Sequence, residues 1–240
     1  MNLLQLRTKF RTVSGRFDLV NEDFTDNGAD FYINEGRKFL DRLDETQKSW
    51  GVAYRFIDVD NYAAHIQSCR AIKEVWAAST TARWQLDKKN LQDLITGYMT
   101  TLPSGLESGS PLYYSPAITR YIPENLTAED FEAFTGYVDV SAGHAYGYNS
   151  IIVMPPTDEK ILVEVKGLFY SHELTEETDE NYWTVSNPML LIMSAMRQIE
   201  IINRNTQGVN DWTNSIAVEM KQLGMDLVEE LIAEVSQIGD

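Results

Sequence analysis

Residues 211–238 read DWTNSIAVEMKQLGMDLVEELIAEVSQI, and the spacing of apolar side chains along this stretch decides the fold. Ile216, Met220, Leu223, Leu227, Leu231, Val235 and Ile238 step by three or four residues and so share one seam of a helix. Val218, Met225 and Ile232 step by seven on a second flank. A helix with two apolar flanks has more to bury than one neighbour usually covers, so it is either enclosed in its own bundle or offered to another chain. Gly224 in mid-helix costs about 1 kcal/mol against alanine, which suggests the close approach of another backbone. At 1.5 Å per residue the rod is roughly 42 Å long.

Working back from it, residues 203–210 form a polar break containing Gly208, and a further helix precedes the break. Asn187 stands at its N-cap and Pro188 at its first position, where a missing N–H costs nothing. Its body, 189–203, is apolar on most sides through Leu190, Leu191, Ile192, Met193, Met196, Ile199, Ile201 and Ile202. Of the eight methionines, Met189, Met193, Met196, Met220 and Met225 lie on these two helices; such side chains fill core gaps or serve interfaces that must adapt.

The amino-terminal end is helical too. Asn2 caps a helix carrying Leu3, Leu6, Phe10 and Val13, which Ser14-Gly15 stops, and a second helix runs from about Asn27 to Gln47. Between the two helix pairs the character changes. Residues 52–60 (VAYRFIDVD), 68–77 (SCRAIKEVWA) and 82–86 are rich in β-branched and aromatic residues. A short helix is expected over 90–98, an extended stretch over 112–118, and a capped helix from Thr127. Residues 148–154 and 160–170, joined by Pro155-Pro156-Thr157-Asp158-Glu159, read as a hairpin. The prediction is an α+β fold: 1–50 and 187–240 pack as a helical bundle, and 51–186 is a β-rich insert.

With 43% hydrophobic and 23% charged residues in 240, the composition is that of a globular protein with a real core. No apolar run approaches the roughly 20 residues of a membrane span. The start lacks the basic-then-apolar order of a secretory signal. The one cysteine, Cys69, has no partner for an intrachain disulfide or a cysteine metal cage. Charge is lopsided: residues 1–100 hold 14 acidic and 14 basic side chains, residues 101–240 hold 22 and 6. Such a surface repels phosphate, which argues against tight nucleic-acid binding. It serves solubility, or a surface that DNA must pass without sticking.

Chemistry finds little support. His65, His144 and His172 are isolated, neither phosphate-binding glycine motif is present, and Gly105-Leu-Glu-Ser108-Gly109 misses the nucleophile elbow by one position. Asp58-Val-Asp60 lacks the third carboxylate of a calcium loop. Glu164-Val165-Lys166 with Asp139 or Asp158 upstream loosely matches the pattern of Mg²⁺-dependent nucleases, but Glu-x-Lys is also what any strand with one wet face produces. The acidic run 173–180 reads as a solvated loop. No catalytic residue, metal or cofactor is therefore expected.

Several stretches carry a resemblance: LLQLR (3–7), VSGRFDLV (13–20), NGADFYINEGR (27–37), CRAIKEVW (69–76) and PLYYSPA (111–117). They resemble segments of the ring-forming head-to-tail adaptor, connector or neck proteins of tailed bacteriophages. The likeness covers about the first half of the chain and is one of organisation rather than of a chemical signature. It implies a virion protein of the neck, assembled in the host cytoplasm, forming a homo-oligomeric ring, dodecameric to match the portal. It further implies that the ring docks on the portal, meets tail or stopper proteins and passes DNA without binding it specifically. The carboxyl-terminal helix, with the seam and flank named above, is the natural portal-docking element. Another neck or tail-completion protein shares these features, and the Glu164/Lys166 nuclease is the enzyme alternative.

Overall fold

The structure, a computed structural model, describes residues 1–43, 50–98, 107–119 and 147–236. It divides into two compact units, Met1–Ser49 with Tyr170–Asp240, and Trp50–Phe169. The protein is α+β, with amino- and carboxyl-terminal helices around an inserted β region. The second crossing falls at Tyr170 rather than at 187, because 170–186 is bonded into the helical unit.

In the helical unit, α1 (Leu3–Ser14) begins with a reciprocal cap between Asn2 and Gln5 and ends at Gly15, whose φ of 67° suits a residue without a Cβ. Helix α2 (Ala29–Leu43) buries Ala29, Ile33, Gly36 and Leu40. A short α4 (Tyr182–Ser186) is capped by Asn181. Then come α5 (Pro188–Ile202) and α6 (Thr206–Ser236). Pro188 starts α5 as expected, but Asn187 makes no side-chain cap bond. Helix α6 starts five residues earlier than the sequence suggests. Asn205 Oδ1 accepts from the Gly208 amide at 3.2 Å, so the glycine lies in the first turn instead of breaking the chain. One core joins Leu3, Leu6 and Phe10 of α1, Ile33 and Leu40 of α2, Trp183 of α4, Leu190, Leu191 and Ile199 of α5, and Ile216 of α6.

The inserted unit holds β1 (Trp50–Ile57), β2 (Ala63–His65), β3 (Cys69–Ala78), β4 (Arg83–Gln85), β5 (Asp87–Lys88), β6 (Tyr113–Thr119), β7 (Gly147–Met154) and β8 (Ile161–Phe169), with α3 (Leu91–Tyr98) between β5 and β6. They form two four-stranded sheets, ordered β1-β8-β3-β4 and β2-β7-β6-β5. Both sheets feed one core: Ile57, Val75, Ala77, Val163 and Val165 from the first, Ala64, Tyr114, Ile151 and Val153 from the second. The capped helix expected from Thr127 lies outside the described residues.

The hairpin expectation is corrected here. Strand β8 pairs with β1 and β3, and β7 with β2 and β6, so the two consecutive strands sit in different sheets. Pro155 and Pro156 offer no amide donors to a tight turn. The connection is bonded elsewhere: Thr157 O accepts from Asp60 N at 2.7 Å, and Pro156 O from Gly109 N at 2.7 Å. Those bonds carry the chain across from one sheet to the other.

Strand β3 does not alternate cleanly either. Its register against β8 slips between Cys69 and Ala71 and again between Ile72 and Glu74. Each bulge inserts one residue and flips the parity, so Ile72 and Val75, three apart, both face the core. At the first slip the Ala71 carbonyl lies against Gly167, where any Cβ would overlap it.

Candidate functional site

The candidate docking element, α6, is built in two parts. Ile216 is fully buried, and Met220 and Leu223 pack against the bundle core, so these three seam residues serve their own subunit. Val218, on the other flank, is 59% exposed. The helix then continues to Ser236. The side chains of Met225, Leu227, Leu231, Ile232 and Val235 lie outside what the structure describes, and Ile238 lies outside the described residues altogether.

Length separates the two parts. Helix α5 has 15 residues and α6 has 31. At 1.5 Å per residue these are about 22 Å and about 46 Å. The two pack together across the three-residue connection 203–205 and therefore run antiparallel. Beyond about residue 221, α6 outruns the amino-terminal end of α5. The docking candidate narrows to the stretch after Leu223.

The acidic stretch 173–180 is more than a solvated loop. The Asp179 carboxylate accepts from Thr175 N (2.8 Å), Thr175 Oγ1 (3.1 Å) and Glu176 N (2.8 Å), bonds that hold it below its ordinary pKa. Asn34 brackets Leu174, donating to its carbonyl at 2.8 Å and accepting from its amide at 3.1 Å. Most tellingly, the carbonyls of Asp179 and Glu177 accept from Leu3 N (3.0 Å) and Leu4 N (3.1 Å), amides of the first turn of α1 that have no partner within the helix. Acidic side chains there also complement the positive end of the helix. Arg7 ties the arrangement together, forming a bidentate bond to Asp30 (2.7 and 2.6 Å) and standing 3.6 Å from Glu177. The sequence signal was present only as a match between free amides at one end and surplus acceptors at the other.

A second network that sequence reading missed lies under α2. Asp41, buried in the helical unit, accepts from Trp183 Nε1 at 2.7 Å and from Ser171 N and Oγ at 3.0 and 2.9 Å, while Arg37 donates to the Ser171 carbonyl. Both carboxylate oxygens of Asp41 are thus occupied in joining α2 to α4 and to Ser171, all within the helical unit.

The nuclease candidates fall into an ion-pair lattice. Glu164 bonds Arg83 at 2.8 Å and lies 3.6 Å from Lys166, which is 3.8 Å from Glu74. The Arg83 bond pulls the Glu164 carboxyl below its ordinary pKa, and the Arg83 guanidinium stacks 4.3 Å over the Trp76 ring. These are cross-strand neighbours satisfying one another on the outer face of a sheet. Asp158 is exposed in the β7–β8 connection and Asp139 lies outside the described residues. Asp58 pairs with Lys160 at 2.9 Å, and Ser108 donates to Asp60. Among the described residues no three His, Cys, Asp or Glu side chains converge on a point where they could hold a metal. Cys69 is buried, and that burial pushes its thiol pKa up, away from a nucleophile's range. No helix among the described residues is long and apolar enough to cross a membrane.

Comparison with protein-family models gives no match, and no curated protein matches the chain either.

Proposed function

We propose that this chain is a virion structural protein, a ring-forming head-to-tail adaptor that docks on the portal and extends the DNA channel toward the tail. It acts by burying helix faces against partners and carries out no chemistry of its own. The observation that carries the reading is α6, which spends Ile216, Met220 and Leu223 on its own bundle and then runs on to Ser236 past the end of α5. The residues of that extension, Met225, Leu227, Leu231, Ile232 and Val235, keep the apolar spacing of a helix that inserts in a groove. The likeness of 3–7, 13–20, 27–37, 69–76 and 111–117 to segments of phage adaptors supports the same reading, as does the acidic excess of residues 101–240, which suits a passage DNA must traverse without adhering.

The test is a chain ending at Gly224, mixed with portal rings and followed by co-sedimentation. Loss of binding with an unchanged melting profile is expected. Binding equal to that of the full chain would overturn the assignment of the carboxyl-terminal segment.

A further inference from the structure

We infer that α6 after Leu223 carries one apolar face set away from its own bundle, and that this face fits a groove with an apolar floor and a rim of lysine or arginine. The inference rests on the adaptor reading for where the groove lies, on the portal, and adds what the groove is made of. The bundle fixes the register. Ile216 is fully buried in the core of the helical unit, and Trp212, Met220 and Leu223 pack against that core, so these positions mark the bundle-facing line of α6. At 3.6 residues per turn, Glu230 stands about five turns beyond Trp212 and Glu234 about five turns beyond Ile216. Carboxylates thus continue the line that serves the core in the first half of the helix, and a carboxylate is costly to bury unpaired. The apolar positions move round instead. At about 100° per residue, Leu227, Leu231, Val235, Val228, Ile232 and Met225 follow one another across an arc of about 160°, centred about 100° from the bundle-facing line. Val228 joins what spacing alone presents as a seam and a separate flank. Gly224 falls within the same arc, where a missing Cβ lets another backbone come close.

Charge says what borders the groove. Asp226, Glu229, Glu230 and Glu234 occupy the opposite arc, and no base follows Lys221. Asp226 and Glu230 are four apart, as are Glu230 and Glu234, a spacing at which like charges on a helix repel. They also stand in the carboxyl-terminal half of the helix, toward the negative end of its dipole, and the last turn holds no base. The free extension therefore carries a repulsion that nothing in its own sequence relieves. A neutral or acidic groove leaves that repulsion in place. Lysine or arginine along the rim relieves it, while the apolar arc lies on the floor as an amphipathic helix lies in a groove.

The test measures co-sedimentation of the full chain with portal rings at about 50 and about 500 mM NaCl, where the screening length differs about threefold. Wild-type affinity is expected to fall at least about tenfold between the two. Asp226→Asn/Glu230→Gln/Glu234→Gln keeps the apolar arc; it should bind about tenfold more weakly at low salt and lose most of the salt dependence. Glu230→Gln alone, the member shared by both repelling pairs, gives the same reading should the triple variant not fold. Asp211→Asn/Glu219→Gln, at exposed positions on the bundled part of the same helix, should behave as wild type. Val228→Gln, a better helix former than valine, should weaken binding about tenfold at both salt concentrations. Binding indifferent to salt overturns the inference, and so does a neutralised variant that binds like wild type. The same holds if the variant at 211 and 219 loses as much as the triple variant, or if Val228→Gln binds unchanged. Each of these results leaves the adaptor reading standing. Binding that survives truncation at Gly224, or a full chain that binds no portal at either salt concentration, removes that reading and this inference with it.

Discussion

A single carboxylate, Asp179, organises the loop on which the start of α1 rests. With Glu176 and Thr175 donating to it, the carboxyl is depressed from its usual value, and an unfolded aspartate titrates at about 3.9. A depressed group stabilises the fold above its unfolded pKa and loses that contribution as pH falls through the folded value. Melting temperature followed from pH 6 to pH 3 should therefore drop more steeply for wild type than for Asp179→Asn, which starts lower and has no proton to take up. Parallel slopes would show that the carboxylate contributes nothing. Arg7 reaches the same loop at Glu177, 3.6 Å away, and its planar fork holding Asp30 through two bonds is a role lysine cannot copy.

Two glycines show how the element decides the sign of one substitution. Gly36 lies where α2 presses on α5; a Cβ there would stand 2.7 Å from Ala195 N and 3.0 Å from the Ser194 carbonyl carbon. Ser194 Oγ donates to the Gly36 carbonyl at 3.1 Å across the same contact. Backbone cannot yield as a flexible side chain does, so Gly36→Ala should destabilise by about 1–3 kcal/mol. Gly97, in α3, meets nothing within 4 Å. Gly97→Ala should stabilise by about 0.4–1 kcal/mol by restricting the unfolded chain. Urea titrations of the two variants read both, and equal shifts would refute the packing argument. The α2 seam was legible from its helical spacing. That Gly36 is the point of closest approach was not, because the residue it meets is 158 positions away.

At the scale of the molecule, the two cores share no residue: one is drawn from 3–40 and 174–216, the other from 57–165. A domain with its own core can fold alone. The excised segment 50–169 should thus give a cooperative thermal transition and fixed near-ultraviolet dichroism, and a featureless melt would show that it depends on the helical unit. The change of character after Trp50 and the return of helical spacing at Asn187 already declared an insert between two helix pairs, and the bonds of 170–186 to the helical unit moved its far boundary back to Phe169. Local physics suffices for that, since amphipathic period, caps at Asn2 and strand composition are properties of neighbouring residues. The sheet pairing was another matter. Strands β7 and β8 read as a hairpin because adjacency favours it, and only the bonds of 155–157 to distant backbone sent them into separate sheets. The same holds for the acidic run 173–180, which looks like solvated charge until the free amides of Leu3 and Leu4 are brought to its carbonyls. What the chain determines by itself is therefore which segments are helix or strand and which faces are apolar, because those follow from side chains a few residues apart. Which face meets which was decided by the tertiary structure, because groups such as Gly36 and Ser194 lie far apart in the sequence and meet only on folding.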